Sequence, residues 1–520
     1  MLSTGADTIC LLAALCLVSS LLWRSRRIDR TLPPGPRPLP LVGNLFDITV
    51  KEFWLRVSSW ADIYGDVVYL RIFGQGLLFL NSFETARRLL EERSVKYADR
   101  PHTVMCAELC GCERIIAFAT YGDSYRRHRR LLHHALSSSH IPAYKPVIQR
   151  ETYALLKLLI QSPENHAKHI RFRYAGSQIT SIVYGFRVEG GDDPHLARAE
   201  EALHLIANRI FSVNSGLWLV DLVPFLKHLP SWFPGAGFKR RARAWKAKIE
   251  ECADEPFQRV KDKMEEGDVV PCYCSMMLSE NTEALREDPQ LESDIRWTAH
   301  AMYIASIDTT YTLLSHFVLA MVRHPHVLRK AQTEIDSLTG GARLPAFADR
   351  PALPYVDAIM SECMRWTCPV PLGLPHRVME DDVYEGMFIP KGTLVFANIW
   401  RITRDPEQFP DPEEFVPERY LEETDAARAK RGDPRNCIFG FGRRACPGEH
   451  LVEAYLWHTI ACMLAVFNFS KASDEAGELV EPRPEYHDAA FRQPTNFPCD
   501  IRPRSERAAK LVHEALAGFA

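Results

Sequence analysis

The sequence predicts a large, mainly helical α+β protein with small β-sheets. Segments with apolar residues at helical spacing dominate its 520 residues, and the longest of them, about 291–321, contains neither proline nor glycine. Hydrophobic residues make up 46% of the chain, enough for a sizeable core. No repeat, low-complexity linker or charge block follows residue 40, so residues 46–520 are predicted to form one domain.

Apolar spacing predicts each helix in turn. In chain order the predicted helices span about residues 53–64, 83–92, 122–136, 144–161, 195–211, 238–264, 291–321, 325–338, 355–367 and 448–466. Short β-prone runs predict strands near 66–72, 77–80, 384–389 and 394–397, with mixed pairings between the N-terminal region and the region around residue 390.

The helical pattern breaks between the fifth and sixth predicted helices, from Leu217 to Gly235. This stretch contains Pro224, Pro230 and the run Trp232-Phe233-Pro234-Gly235. Two interpretations stay open: a loop whose aromatic side chains are buried, or an exposed loop that dips into a membrane.

The charge balance gives no sign of a nucleic-acid partner. The formal net charge is -3 and the isoelectric point about 6.7, so we expect no basic surface of the kind that binds phosphate backbones. The 14 cysteines show no convincing zinc-ligand spacing. We expect most of them to be reduced and to fill the core.

The N-terminus carries an uncharged apolar run, Thr8–Trp23, followed directly by the basic run Arg24-Ser25-Arg26-Arg27. A helix of this length covers about 24 Å, slightly less than a bilayer core of about 27 to 30 Å. Residues 1–30 are therefore predicted to be a membrane signal-anchor with its basic flank, and residues 31–45 a proline-rich hinge. A cleaved signal peptide is the alternative, but such peptides usually carry their positive charges before the apolar run. The arginines after the run place the rest of the chain in the cytosol.

One short loop carries most of the chemical information. Residues Phe439–Gly448 read F-G-F-G-R-R-A-C-P-G, with Cys446 after a glycine-rich turn and before a predicted helix. Gly442 and Gly448 allow backbone N–H groups to approach the sulfur, and the helix N-terminus favours an anionic thiolate. A thiolate held in this way suits haem iron, and Arg444 can reach a haem propionate.

The pattern F-x-x-G-x-R-x-C-x-G, filled by Phe439, Gly442, Arg444, Cys446 and Gly448, resembles the haem-binding loop of the cytochrome P-450 family. The resemblance implies the cytochrome P-450 fold, with a long central helix over the haem and small β-sheets. It also implies heme b (iron protoporphyrin IX) as cofactor, with Cys446 as axial ligand and metal-binding residue. Phe439 and Arg444 are then cofactor-binding residues.

A second motif extends the resemblance. Glu362 and Arg365 stand at E-x-x-R spacing on a predicted helix, and Arg419 follows in the run Phe415-Val-Pro-Glu-Arg-Tyr420. In the family, one glutamate and two arginines lock the core behind the haem, which implies a structural role for these three residues. Tyr420 stands where the family more often has phenylalanine.

The predicted long helix contains Ala305-Ser-Ile-Asp-Thr-Thr310, which resembles the family motif A/G-G-x-D/E-T-T. There the acid and the threonine pass protons to oxygen, which assigns catalytic roles to Asp308 and Thr309. Ser306 departs from the pattern, because the family usually has glycine at that position. We expect its hydroxyl to bond back to the carbonyl of Met302.

Further cofactor-binding residues follow from the resemblance. Tyr125 and Arg129 correspond to the family's W-x-x-x-R, with a tyrosine hydroxyl in place of the indole N–H. His376 corresponds best to another propionate donor, and Arg377 is the alternative. The family's pocket-lining positions are expected to be occupied by Phe118, Ala301, Ala305, Val370, Leu372 and Phe491.

The resemblance implies a haem-thiolate monooxygenase in the endoplasmic reticulum membrane, with a single span and a cytosolic catalytic domain. Its partners would be an NADPH-cytochrome reductase, with cytochrome b5 as a further donor, a hydrophobic small-molecule substrate, O₂ and membrane lipid. The stretches 229–235 and 437–451 look most like fungal members that act in secondary metabolism on terpenoids, polyketides or aromatics. Two alternatives use the same fold: an oxygen-independent isomerase or dehydratase, and a non-enzymatic haem-thiolate sensor.

Overall fold

A computed structural model describes residues 31–48, 51–187, 194–210, 218–421, 432–486 and 491–519. The predicted signal-anchor, residues 1–30, lies outside these ranges. Within them, no helix combines the length and the apolar character that crossing a bilayer requires.

The described part of the chain is mainly helical, as predicted. Its longer helices are α1 (Phe53–Tyr64), α2 (Asp123–Leu136), α3 (Ile141–Gln161), α4 (Ser177–Tyr184), α5 (Pro194–His204), α6 (Gly237–Glu266), α7 (Tyr273–Glu280), α8 (Pro289–Arg323), α9 (Pro325–Thr339), α10 (Pro354–Thr367), α11 (Glu449–Val466) and α12 (Glu506–Ala517). Shorter helical segments include Phe83–Ala86, Arg87–Glu92, Val104–Leu109, His169–Gly176, Leu205–Ile210, Leu219–Leu222, Pro224–His228, Pro417–Tyr420 and Gly442–Arg444.

Helix α8 is the central element of the fold. Its 35 residues begin after Asp288, whose side chain accepts a hydrogen bond from the backbone N–H of Gln290 at 3.0 Å, and Pro289 takes the first helical position. Because the helix is apolar on nearly every face, it is buried almost throughout. It packs against α2, α4, α6, α7, α10 and the helical segment His169–Gly176.

The strands are short, and they form one mixed four-stranded sheet and two separate two-stranded antiparallel sheets. They are β1 (Val67–Ile72), β2 (Gln75–Leu80), β3 (His376–Arg377), β4 (Asp382–Tyr384), β5 (Met387–Ile389), β6 (Leu394–Ala397), β7 (Phe467–Ser470) and β8 (Asp500–Pro503). The main sheet has the order β1-β2-β6-β3, in which β2 and β6 are parallel and the other pairs antiparallel. This confirms the predicted mixed pairing between the N-terminal region and the region near residue 390.

The prediction of one strand over 384–389 is wrong. The segment turns back on itself at Glu385 and Gly386, whose φ angles are 50° and 79°, so β4 and β5 pair as an antiparallel hairpin. Strands β7 and β8 and helices α4, α7 and α12 were not predicted. The predicted helices are all present, although the one over 195–211 changes from α5 to π-helical geometry at Leu205.

The proline-rich stretch is tied to the sheets. The carbonyl of Pro34 accepts a hydrogen bond from the Tyr69 N–H at 2.8 Å, and that of Thr31 accepts one from the Phe388 N–H at 2.8 Å. A Cβ on Gly35 would lie 2.1 Å from the Tyr69 carbonyl oxygen, so only glycine allows this approach. The chain therefore enters the fold along a fixed path.

The loop before α6 is largely exposed. The side chains of Phe225 and Trp232 are 73% and 78% accessible. The interpretation of this stretch as a buried aromatic cluster is therefore wrong for Trp232. Several contacts hold the loop. Lys227 pairs with Glu108 at 2.7 Å, the Asp221 carboxylate accepts the Met105 N–H at 2.8 Å, and Lys239 of α6 donates to the carbonyl of Leu229 at 2.7 Å.

Candidate active site

The cysteine loop is held in one conformation by its glycines. Gly440 and Gly442 have φ angles of 77° and 55°, and a Cβ on Gly442 would lie 2.4 Å from the carbonyl oxygen of Leu90. Glycine is thus required at position 442 by both conformation and space. Closing the loop, the Cys446 N–H donates to the carbonyl of Phe439 at 2.7 Å. The sulfur is consequently presented at the start of α11.

The Cys446 thiol has a backbone donor and is open on one side. The Gly448 N–H lies 3.4 Å from its sulfur, in the position expected for stabilising a thiolate. Among the described cysteines, Cys446 is the one whose side chain is exposed, yet protein surrounds the sulfur on its other sides. Burial raises the pKa of the Cys446 thiol, and the Gly448 N–H and the Arg129 charge act in the opposite direction. A metal cation would supply the missing stabilisation.

A cluster of buried cations, Arg100, Arg444 and the neighbouring Arg129, adjoins this loop. Arg444 donates to three backbone carbonyls, those of Ala98, Ile116 and Ala119. Arg100 donates to the carbonyls of Ala117, Leu374 and Pro375. Burial, followed by the nearby charge of Arg444, lowers the pKa of Arg100 to about 9.

Tyr125 and Arg129 project from α2 towards the cysteine loop. The Tyr125 hydroxyl donates to the carbonyl of Arg443 at 2.5 Å, and the Arg129 guanidinium donates to that of Ala445 at 2.5 Å. The guanidinium carbon of Arg444 lies 3.8 Å from the centre of the Tyr125 ring, a cation–π contact. The structure thus brings the predicted residues Tyr125, Arg129 and Arg444 together beside Cys446.

His376 is buried beside the arginine cluster, and its neighbour Arg377 is half-exposed. The His376 ring is buried on β3, with Nδ1 2.8 Å from the carbonyl oxygen of Tyr97. Burial and the adjacent charge of Arg100 hold the pKa of His376 well below its usual value, so the ring is neutral near pH 7. Arg377 is half-exposed and lies 3.7 Å from the Asp99 carboxylate.

One buried acid, Asp99, adjoins the cluster, and its charge opposes the lowering of the pKa of Arg100 and Arg444. Its carboxylate accepts the Tyr121 N–H, whereas the guanidiniums of Arg100 and Arg444 donate to backbone carbonyls. Buried cations with such partners favour an anionic ligand, because a carboxylate pair would replace the hydration that they have lost. The donor set therefore fits a haem whose propionates face the arginines and whose iron faces the Cys446 sulfur.

Asp308 and Thr309 lie at the middle of α8, where Ala305 is exposed although most residues around it are buried. The Thr309 hydroxyl donates to the carbonyl of Ala305 at 2.8 Å and lies 3.4 Å from that of Ser306. The Asp308 carboxylate pairs with the Arg171 guanidinium and accepts a hydrogen bond from the Gln493 amide, each at 3.0 Å from Oδ1. The acid is thus held by residues from outside α8, while the threonine is held by its own helix.

The E-x-x-R pair forms a closed, fully buried network. Arg365 donates to both oxygens of Glu362, at 2.8 and 2.7 Å, and both side chains have no accessible surface. Arg419 and the Tyr420 hydroxyl contact the same carboxylate at 3.3 and 3.0 Å. The Arg365 guanidinium also donates to the carbonyls of Thr403, Pro412 and Glu414. Tyr420 therefore adds a hydrogen bond that phenylalanine could not make.

The predicted pocket residues belong to different parts of the core. Ala301 is buried in the large apolar cluster around α8, and Phe118 packs against the same cluster. Leu372 packs against the apolar clusters of the sheet region. Val370 and Phe491 are half-buried.

Sequence reasoning missed three residues at this site: Arg100, Arg171 and Gln493. Each follows from tertiary contacts, since Arg100 stands in a loop, Arg171 in a segment with no clear apolar period, and Gln493 in the irregular chain after Phe491. The sequence offered one weak signal, an arginine directly before Pro101.

The comparisons with known proteins agree with this geometry. A family model described as Cytochrome P450 matches residues 33–497. The chain belongs to the cytochrome P450 family. Members of this family bind haem with a cysteine thiolate as axial ligand. Because its relatives are named cytochrome P450 monooxygenases, the chain is a monooxygenase.

The relatives are fungal. Cytochrome P450 monooxygenase 176 of Postia placenta is 38% identical over 93% of this chain and 92% of its own. Cytochrome P450 monooxygenase claT of Ampulloclitocybe clavipes is 36% identical over 100% of both chains. Tryptamine 4-monooxygenase of Psilocybe cyanescens is 37% identical over 97% of this chain and 99% of its own.

Proposed function

We propose that this cytochrome P450 inserts one oxygen atom from O₂ into a hydrophobic secondary metabolite, with Cys446 as the axial ligand of its haem. The observation that carries the proposal is the convergence of an accessible thiol, its Gly448 donor and two buried arginines, Arg100 and Arg444, whose guanidiniums donate to backbone carbonyls. Bound haem supplies O₂ activation and the two one-electron steps that this needs. The second oxygen atom leaves as water.

The chain's own residues position the cofactor and move protons. Arg129, Arg444 and His376 hold the propionates, assisted by the Tyr125 hydroxyl, and Phe439 packs in the cysteine loop. Arg100 joins this set, because its guanidinium lies in the same buried cluster as that of Arg444.

Asp308 and Thr309 form the proton relay. The Thr309 hydroxyl stands on the accessible stretch of α8 next to Ala305 and orients a water molecule, and the Asp308 carboxylate exchanges the proton with further waters. The network of Glu362, Arg365 and Arg419 stabilises the fold behind the cofactor.

The substrate is a terpenoid, polyketide or aromatic compound. Support comes from the tryptamine named for one relative and from the apolar character of the proposed contact residues. These residues are Phe118, Ala301, Ala305, Val370, Leu372 and Phe491.

We place the protein in the endoplasmic reticulum membrane, with residues 1–30 as a single-span anchor, 31–45 as a hinge and 46–520 as a cytosolic catalytic domain. Electrons come from an NADPH-dependent reductase, with cytochrome b5 as a second donor. Support comes from the apolar run Thr8–Trp23 and from the exposed side chains of Phe46, Phe225 and Trp232, which suit contact with lipid.

The ligand assignment is tested by Cys446→Ala. The variant should lose the strongly red-shifted Soret band of the reduced carbon monoxide complex, because that band requires a thiolate on the iron. Cys437→Ala, which removes a buried thiol just before the same loop, is the matched control and should keep the band. Persistence of the band in Cys446→Ala would refute the assignment.

The anchor is tested by deletion of residues 1–30. The truncated protein should be released largely from membranes by washing, with its Soret band unchanged. If it stays fully membrane-bound, the loop around Trp232 and not residues 1–30 holds the protein at the membrane.

A further inference from the structure

The Asp308 carboxylate receives donors from two elements outside its own helix. Arg171, on the helical segment His169–Gly176, and Gln493, in the chain after Phe491, both lie 3.0 Å from the same oxygen, Oδ1. A carboxylate held through one oxygen by two donors has a fixed plane, so the direction of Oδ2 is fixed as well. The orientation of the acid therefore depends on residues distant in sequence.

The segment that carries Gln493 is itself firmly held. The Arg492 N–H donates to the carbonyl of Pro369 at 2.9 Å, and the buried Arg492 guanidinium donates to that of Thr367 at 3.1 Å. On the other side, the Tyr311 hydroxyl of α8 donates to the carbonyl of Pro494 at 3.3 Å. Gln493 therefore has little freedom to move independently of α8 and α10.

Gln493 is also coupled to a proposed substrate contact. Its backbone N–H donates to the carbonyl of Phe491 at 2.9 Å, which closes a tight turn between the two residues. The half-buried Phe491 ring and the Asp308 carboxylate are thus connected by one turn and one hydrogen bond.

We propose that Gln493 is a positioning residue that sets the orientation of Asp308 for proton delivery. The proposal rests on the relay role of Asp308 given under the proposed function. The positive charge of Arg171 stabilises the ionised carboxylate, whereas the neutral Gln493 amide fixes its orientation through one hydrogen bond. Loss of Gln493 should leave Asp308 in place but turned, so that protons reach oxygen more slowly.

Slower proton delivery should increase the amount of hydrogen peroxide that the enzyme releases, which can be measured. Oxygen that has received two electrons and is not cleaved leaves as hydrogen peroxide, so the ratio of peroxide formed to NADPH consumed rises. We would measure this ratio for the full-length, haem-loaded enzyme with a microsomal reductase, using naphthalene as an apolar probe. Haem content and the reduced carbon monoxide band report correct folding of each variant.

Gln493→Leu removes the donor, and Gln493→Glu replaces it with an acceptor of equal size. Both should lower the rate of product formation relative to peroxide about ten- to a hundredfold, the effect expected for one hydrogen bond to a charged carboxylate. Thr495→Val is the matched control: its hydroxyl accepts the Glu485 N–H at 3.0 Å in the same segment and makes no recorded contact with Asp308. It should behave as the unaltered enzyme.

The decisive variant combines Gln493→Leu with Asp308→Asn. If Gln493 acts through the carboxylate, the double variant should match Asp308→Asn alone, since an amide at position 308 passes on no protons whichever way it is turned. If the two effects multiply, or if neither substitution of Gln493 alters the ratio while Asp308→Asn does, the positioning role is refuted and the relay stands. If Asp308→Asn itself leaves the ratio unchanged, the relay is refuted and the positioning role with it.

Discussion

Two buried groups of arginines differ in how their charge is satisfied. In the network around Glu362, the two guanidiniums meet a carboxylate with no accessible surface. In the cluster of Arg100 and Arg444, the guanidiniums meet carbonyl oxygens. We call the first the complete network, because a carboxylate pairs directly with its guanidiniums. We call the second the incomplete cluster, because its nearby acid, Asp99, acts on the two guanidiniums through its charge while their hydrogen bonds go to carbonyls. Buried charge alone therefore does not identify a binding site, but buried guanidiniums without a directly bonded carboxylate point to one.

The largest expected effect tests the complete network. Glu362→Gln should destabilise the apoprotein by about 3 to 5 kcal/mol, because Arg365 and Arg419 are left buried without a counter-charge. Denaturant unfolding of the apoprotein measures this loss. Glu413→Gln is the matched control: Glu413 pairs with buried Arg404 at 3.1 Å, but its own side chain is 71% accessible, so we expect a loss below about 1 kcal/mol. Equal losses would show that a buried counter-charge stabilises the protein no more than an exposed one.

The second prediction tests the incomplete cluster. Arg444→Met should weaken haem binding about ten- to a hundredfold, the value of one charge-assisted contact of about 1.5 to 3 kcal/mol. The apoprotein should lose much less stability than Glu362→Gln does, because the substitution also relieves repulsion from Arg100. The rate of haem transfer to a competing haem-binding protein measures the first effect. Arg443→Met, which alters the exposed neighbour, should transfer haem at the unaltered rate.

The third prediction uses pH to add a charge to the cluster. The pKa of His376 is held well below its usual 6.5 by burial and by Arg100. The unfolded chain therefore binds a proton below about pH 6.5 that the folded protein excludes, and this contribution to stability is lost as pH falls below that value. The apoprotein should lose up to about 1.4 kcal/mol per pH unit from this group. His376→Gln should flatten the slope by that amount, and an unchanged slope would show that His376 is not neutral in the fold.

The smallest expected effect concerns Tyr420. Tyr420→Phe removes the hydroxyl that donates to Glu362 at 3.0 Å, while Arg365 and Arg419 keep the carboxylate paired. We expect a loss of about 0.5 to 1.5 kcal/mol in apoprotein unfolding, and no change in haem content. A loss as large as that of Glu362→Gln would mean that the hydroxyl, and not charge pairing, holds the network together.

The comparison also explains what could be predicted from sequence. Glu362, Arg365 and Cys446 lie in short motifs that resemble those of the cytochrome P450 family, so the resemblance locates them in the sequence. Arg100 and Gln493 act through contacts with chain segments far away in sequence, at Leu374 and Asp308. No local period encodes such contacts.

The same reasoning applies to the fold. Helix α8 was predictable because its apolar character extends over many turns. Strands β7 and β8 each have four residues and pair across 30 or more positions, as in Ser470 with Asp500, so neither segment is recognisable alone. The β4–β5 turn had a local signal in Glu385-Gly386, which the surrounding apolar residues obscured.

In the anchored protein that we propose, the hydrogen bond between Thr31 and Phe388 would limit how far the enzyme can move from the membrane. Between Trp23, at the end of the proposed span, and Thr31 the chain can extend about 28 Å at most. A connection this short would permit rocking but little tumbling, and it would keep the exposed side chains of Leu41 and Phe46, 58% and 77% accessible, close to the lipid. A substrate dissolved in the bilayer would then meet the protein in a nearly constant orientation, so its capture resembles a search in two dimensions more than one in three.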